Sequence, residues 1–489
     1  MSESKSSRRQ FLKYGAAVVV GAAAAAAGYS IYQSSVTPPP GPLGPGPTTV
    51  TAPVTYTTVA VPTARPVEIW WVTEFFPEEQ LAFMEIANAF TAETGTPVHV
   101  TFYDFKAAEA KLLTAVKTGD VPDISNDIGI AIGTRLAAQG ALLDVSDLVG
   151  ELEKTGDYSP VALETSNIYD NARKRSYYQV AQALQPFVNT YWKDVITKYA
   201  GVTDLPTDWD GWWGTFKKAQ DNGAMRQLGM NAFGLCLYSP GGDSEDAFTC
   251  TMSAFKANPL TPDGKVNYKD SEFKNAVTET VNFIVDLYQK GYIPKGSTAW
   301  DDASNNVAVE SKKTIMSYAN GSLSIPVWFK RNDPENYKNN VYWAPFPKTG
   351  PYGNEYRLSV IGGTVSFVPK DGKNTEGAKQ FLRYFMKPEN YNQWFVGYQY
   401  RYLPVLKSSL ETLPLYQDAS DHNIYPSKFY LERAIPDYRY VNPAWGQASY
   451  GEHLLSNMAT AVVTQNKTVT EVVDATFARL EELSRQYGE

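Results

Sequence analysis

Residues 176–192 read SYYQVAQALQPFVNTYW, a charge-free run between Arg173-Lys174-Arg175 and Lys193-Asp194. Aromatic and β-branched residues dominate it, which favours extended backbone. At about 3.3 Å per residue a single strand would reach about 56 Å, too long for an ordinary one. Pro186 bars a continuous central strand because it has no amide hydrogen to give. Two short strands in succession fit instead, the first in one sheet and the second in another, so the chain crosses here from one lobe to a second. Gln179, Gln182 and Gln185 fall in the crossing, where amides that both donate and accept face the gap between lobes.

The 489 residues allow two cores, since single cores stop growing at roughly 250–300 residues. With 43% hydrophobic and 20% charged residues the composition is that of a globular protein, and 13% aromatics point to large cores or a surface that stacks on ligands. A net charge of −8 argues against a nucleic-acid binder, which would need a basic face for phosphates, and no Lys/Arg cluster of that extent is present. His99, His422 and His453 are scattered without metal spacing, and the chain has no Walker loop, His-Glu-x-x-His or Gly-x-Ser-x-Gly, so neither metal nor cofactor is expected. Cys236 and Cys250 fit either a disulfide, stabilising by about 3 kcal/mol in the chain-entropy model, or two buried thiols.

Outward from the crossing, VEIWWV at 67–72 reads as a first strand and 77–94 as a helix whose apolar face holds Leu81, Phe83, Met84, Ile86, Ala87 and Phe90. Residues 97–102 make a second strand, 105–118 a second helix, and 122–124 open a third strand. Strand-helix alternation means parallel pairing with right-handed crossovers, and ligands then sit at the carboxyl ends of the strands, here Thr73-Glu74-Phe75 and Ser125-Asn126-Asp127. Beyond the crossing, 206–220 reads as a turn and helix capped by Thr207 or Asp208, with Trp209, Trp212 and Trp213 at core spacing. Residues 273–290 form an amphipathic helix ending at Gly291.

Ser7-Arg8-Arg9-Gln10-Phe11-Leu12-Lys13 before the uncharged run Tyr14 to Tyr32 resembles a twin-arginine export signal. Those 19 residues just suffice to span a bilayer, although Ala and Gly make them weakly apolar. Residues 34–66 are Pro/Gly/Thr-rich, a stalk that favours a retained anchor over release. Sequons at Asn320 and Asn466 fit an outward-facing protein.

Several short motifs in order complete the picture. Gly291-Tyr292-Ile293-Pro294 precedes Trp300-Asp301-Asp302, then Glu310-Ser311-Lys312-Lys313-Thr314-Ile315-Met316 and Asn320-Gly321. Before them lie Thr94-Gly95-Thr96-Pro97 and Gly119-Asp120-Val121-Pro122-Asp123; after them come Trp343-Ala344-Pro345, Gly362-Gly363-Thr364 and Leu403-Pro404-Val405. From Val67 onward the chain resembles the extracellular solute-binding proteins of sugar-importing ABC transporters, the group that includes maltose-binding protein. It departs at Ser311 to Thr314, where the family usually has a glycine and a small residue.

The resemblance implies an α/β, two-lobe periplasmic-binding-protein type II-like fold, each lobe a mainly parallel sheet flanked by helices, joined by hinge crossings. The first lobe would hold 67–180 plus 298–344 and the second 181–297 plus 345–489, after a signal or anchor at 1–33 and a linker at 34–66. It also implies ligand contacts at Glu74, Asn126, Asp127, Gln182, Gly242, Asp243, Trp300, Ser322, Gly362, Gly363 and Trp445. The function implied is a monomeric, extracytoplasmic receptor that delivers a carbohydrate to permease subunits of an ABC importer. A receptor for a non-sugar polar solute is the alternative; a glycosidase using Glu74 and Asp127, or an adhesin, fits less well.

Overall fold

β1 (Val67–Val72) buries Val67, Ile69, Trp71 and Val72 and opens the first sheet. The computed structural model of the protein describes residues 64–489 apart from 73–75, 104, 128–129, 239–240, 345, 357, 431–433 and 437–441. The twin-arginine segment, the linker up to Thr63 and Glu74 therefore lie outside the described residues. β2 (Val98–Tyr103) and β3 (Ile124–Asp127) both pair parallel with β1, as the alternation predicts. β4 (Asn167–Tyr169) and β5 (Arg175–Tyr177) form a separate antiparallel pair.

β6 (Val180–Pro186) and β7 (Asn189–Trp192) divide the 176–192 run as expected: β6 lies in the first sheet and β7 in the second, with Pro186 closing β6. The two residues between them are fully buried and pinned. The Phe187 amide donates to the Tyr430 hydroxyl (3.0 Å), which donates back to the Phe187 carbonyl, and Val188 exchanges backbone hydrogen bonds with Asn320 (2.9 Å). The second sheet runs β10-β7-β9-β8, built from β8 (Asn231–Gly234), β9 (Thr314–Ser317) and β10 (Val341–Ala344) around β7. The chain then returns as β11 (Leu358–Phe367), the long strand between β6 and β3. The short β12 (Leu403–Pro404) and β13 (Ala434–Pro436) complete a first sheet of order β12-β6-β11-β3-β1-β2, with β13 on β11.

Two expectations change here. The sheets are mixed rather than mainly parallel: β11 runs antiparallel to β3 and β6, and β7 antiparallel to β9 and β10, because β10 and β11 carry the chain back against the direction in which β6 and β7 crossed. The strands are also shared out differently from the expected partition. Residues 314–317 and 341–344, expected in the first lobe, pair in the second sheet, and 181–186 and 358–367, expected in the second lobe, run through the first. The return comes after Ala344, not before it.

The first core gathers Trp71, Phe83, Phe385 and Trp394 around β1, with Trp71 and Phe83 centroids 3.9 Å apart. Helix Pro77–Thr94 turns Glu79, Ala82, Phe83, Ile86, Ala87 and Phe90 inward, while Leu81 is 66% exposed; at 100° per residue it points away from Phe83. The second core is built on helix Trp209–Asp221, whose Asp208 side chain accepts from the Gly211 amide (2.8 Å), and on helix Ser271–Gln289. Trp209, Trp212 and Trp213 are all buried there. Among the described residues no helix is long and apolar enough to cross a membrane.

Cys236 and Cys250 are both buried and not joined to each other, which decides between the two expected states. Burial, with the Asp243 and Asp302 carboxylates nearby, pushes the Cys236 thiol well above its ordinary range and leaves it a poor nucleophile. A reductant is therefore expected to leave the melting temperature unchanged; a fall on adding dithiothreitol would reveal a disulfide.

Candidate functional site

The carboxyl ends of β1 and β3 are fixed by one buried amide cluster. Asn126 Oδ1 accepts from the Val72 amide (3.0 Å), and its Nδ2 donates to Gln182 Oε1 (3.3 Å), which also accepts from Ser366 Oγ (3.0 Å). Asn126 and Gln182 are thus brought together, but at 2% and 0% exposure they lock four strands, β1, β3, β6 and β11, to one another. Gln182 Nε2 is buried with no partner among the described residues. Asp127 lies beside them on β3, opposite Val365.

Gly362 and Gly363 stand where β11 slips register against β6, a bulge that bends the strand. A Cβ at Gly363 would come within 2.6 Å of the Tyr402 ring, and one at Gly321 would strike the Gln185 amide. The absent side chains let the second sheet's β9 loop approach the end of β6, so Gln185, not Gln182, reaches the junction. Gln179 is buried and donates to the Thr165 carbonyl (2.7 Å).

On the second sheet's side, Gly242 and Asp243 open helix Gly242–Ala254. The Asp243 amide donates to Asp302 Oδ1 (3.1 Å), and its carboxylate accepts from Asn305 Nδ2 (2.6 Å). Ser322 belongs to a chain of short polar groups: it donates to Ser324 Oγ (2.7 Å), Ser324 accepts from Asn306 Nδ2 (3.3 Å), and Asn320 Nδ2 donates to Asn306 Oδ1. This corrects one expectation, because an Asn320 side chain buried in that chain has no room for a glycan; Asn466 is exposed. Trp445 is a second correction. It has no exposed surface, its ring lies edge-on to Phe273 (5.9 Å), and it offers no face to a ligand.

Two cavities flank the short helix Ser304–Glu310. One, of about 340 Å³, is lined by half-buried Trp300 with Asp301, Ser304 and Lys313. The other, of about 210 Å³, lies between Phe76, which follows β1, and Asn306, Val307 and Glu310 of helix Ser304–Glu310 with Ser324 and Trp328 of helix Ser324–Asn332. Arg331 and Glu78 (2.8 Å) tie helix Ser324–Asn332 to helix Pro77–Thr94 beside this cavity, with the guanidinium 5.2 Å from the Phe76 ring centre. The Leu323 amide donates to the Arg401 carbonyl (2.7 Å) close by. Burial pushes the Glu310 carboxyl up to about 7. The sequence-derived contacts do not include Phe76, Asn306, Glu310 or Trp328. The only sequence signal was the position of Phe76, two residues after Glu74 at a strand end.

Two α/β bodies joined by strand crossings, with polar and aromatic groups gathered where they meet, define a solute-binding protein. The chain belongs to the bacterial extracellular solute-binding protein family, whose model matches residues 85–423. It is a binding protein of extracytoplasmic location and not an enzyme. Its fold is the two-lobe α/β fold of solved sugar receptors. A sugar transporter from Arthrobacter chlorophenolicus A6 with bound laminaribiose matches with a TM-score of 0.69 at 16% identity, over 86% of this chain and 99% of that one. Maltose-bound MalE3 of T. maritima matches at 0.67 and 18%, over 85% and 99%. A ribitol-bound solute-binding protein from Agrobacterium radiobacter K84 matches at 0.67 and 16%, over 86% and 100%. A search of curated protein sequences returns no match.

Proposed function

We propose that the protein captures a sugar or oligosaccharide between its two lobes and delivers it to the permease subunits of an ABC importer. The cavity between Phe76 and the Trp328 side carries this reading. It combines aromatic rings, against which the C–H face of a pyranose can lie, with an amide and a hydroxyl that pair with sugar hydroxyls. The sugar-bound relatives of the same fold support it. On this reading the lobes are the bodies built around the two sheets, Phe187-Val188 and the return after Ala344 are the hinge crossings, and Asp127, Asp243, Trp300 and Ser322 stand around the cleft. The protein works as a monomer, exported by the twin-arginine route and held at the outer face of the cytoplasmic membrane by its N-terminal segment, with 34–66 as the stalk.

A thermal-shift screen of the full chain against mono- and oligosaccharides, polyols, peptides and glycerol phosphates tests this. A ligand that binds only the folded form stabilises it by about 2.7 kcal/mol at a hundredfold excess over Kd. Sugars are expected to raise the melting temperature and to be recovered unchanged. A response to polyols or peptides alone would move the reading to a non-sugar polar solute.

A further inference from the structure

We propose that the 210 Å³ cavity is a cation-accepting subsite, so that the captured solute carries a protonated amine held by Glu310 between Phe76 and Trp328. The inference rests on the sugar-receptor reading and narrows it to an amino sugar. The volume is below the roughly 300 Å³ at which whole ligand pockets begin, so the cavity takes one sugar unit and not the entire solute.

The chemistry of the lining decides the class. Its described residues include one carboxylate, two aromatic rings, an amide and a hydroxyl, and no Lys or Arg. Carboxylate and ring faces together are the groups that attract an ammonium. None of the cations on the adjoining elements pairs with Glu310: Arg331 pairs with Glu78 (2.8 Å) and lies 5.2 Å from the Phe76 ring centre at the rim of the cavity, Lys330 pairs with Asp421 (2.6 Å), Lys312 lies over the Trp192 ring (4.0 Å), and Lys313 lines the neighbouring cavity. Glu310 accordingly has no ion-pair partner among the described residues, and the upward push on its carboxyl comes from loss of water alone. Sugar hydroxyls would satisfy its lone pairs and leave its charge uncompensated; an ammonium does both.

The test uses three disaccharides of one linkage that differ at the C2 substituent: the glucosamine dimer with free amines, its N-acetylated form and cellobiose. Calorimetry with the full chain near pH 7 is expected to give the amine form at least about tenfold tighter binding than either neutral form. Glu310→Gln is expected to abolish that preference. Lowering the pH from 7 to 5 is expected to shrink it too, because the amine stays charged while Glu310 takes up a proton. The variant should melt no lower than the parent near pH 7 and above, since burial opposes the charge that Gln removes. Equal binding of all three sugars, or a preference that survives Glu310→Gln, overturns the subsite and leaves the sugar receptor standing. Failure of all three together with every sugar of the screen overturns the receptor reading itself.

Discussion

Replacing Arg401 by Met is expected to destabilise the protein by about 3–5 kcal/mol, the range for stranding one charge of a buried pair. Arg401 and Glu79 have side-chain exposures of 0% and 1%, and Nη2 lies 3.3 Å from Oε2. The guanidinium is layered against Tyr398 and Tyr402, 4.1 and 4.9 Å from their ring centres, while the other Glu79 oxygen accepts from Trp71 Nε1 (3.4 Å). Met fills the volume but leaves the Glu79 carboxylate in the core without its cation. Adding Glu79→Gln should recover most of the loss, since a neutral pair of similar size in such a site is near neutral or better. Urea unfolding of the parent, Arg401→Met and the double variant measures both terms. A loss under about 1 kcal/mol for the single variant, the size expected of an exposed pair, would contradict the burial. Binding should weaken as well, because Glu79 sits in the first turn after 73–76 and the Arg401 carbonyl receives the Leu323 amide.

Local chemistry is what the sequence made legible. That the 176–192 run splits between two sheets followed from run length and a proline, although the lobe boundary was expected at 180–181 and lies after Pro186. The parallel start followed from strand-helix alternation, and the cap, left open between Thr207 and Asp208, from its position before an apolar period. Pairing partners were less accessible, because a strand such as Thr314–Ser317 is buried whichever sheet receives it; its neighbours β7 and β8 are set by the return path of the chain. The same ambiguity governs polar and aromatic residues. Nothing local distinguishes Trp445, sealed against Phe273, from Trp328, which lines a cavity, or Asn126, locked to Gln182, from Asn306 beside Glu310. The cavity itself is assembled from residues near 76, 306–310 and 324–328, and no window of sequence contains all three.

Trp213→Ala tests the second lobe as Arg401→Met tests the first, and it is expected to cost about 3–5 kcal/mol, as truncation of a buried Trp does. Its ring centre lies 4.7 Å from Phe233, 4.9 Å from Phe283 and Tyr318, and 5.2–5.4 Å from Trp212 and Trp209, at 2% exposure. Trp213→Phe should lose much less. The indole nitrogen is buried with no partner among the described residues, so Phe removes an unsatisfied donor along with the lost contacts. Truncation should also reach the cleft, since Tyr318 follows β9 directly and precedes the Asn320–Ser324 polar chain. Denaturant curves read by two probes show how far the effect spreads. If the paired crossings at Phe187-Val188 couple the lobes, one transition shifts as a whole; if they do not, the second lobe melts first and the curve splits. The pinned backbone at those crossings favours the single shifted transition, and a ligand bridging the cleft should merge the curve where it splits, because it binds only when both lobes are folded.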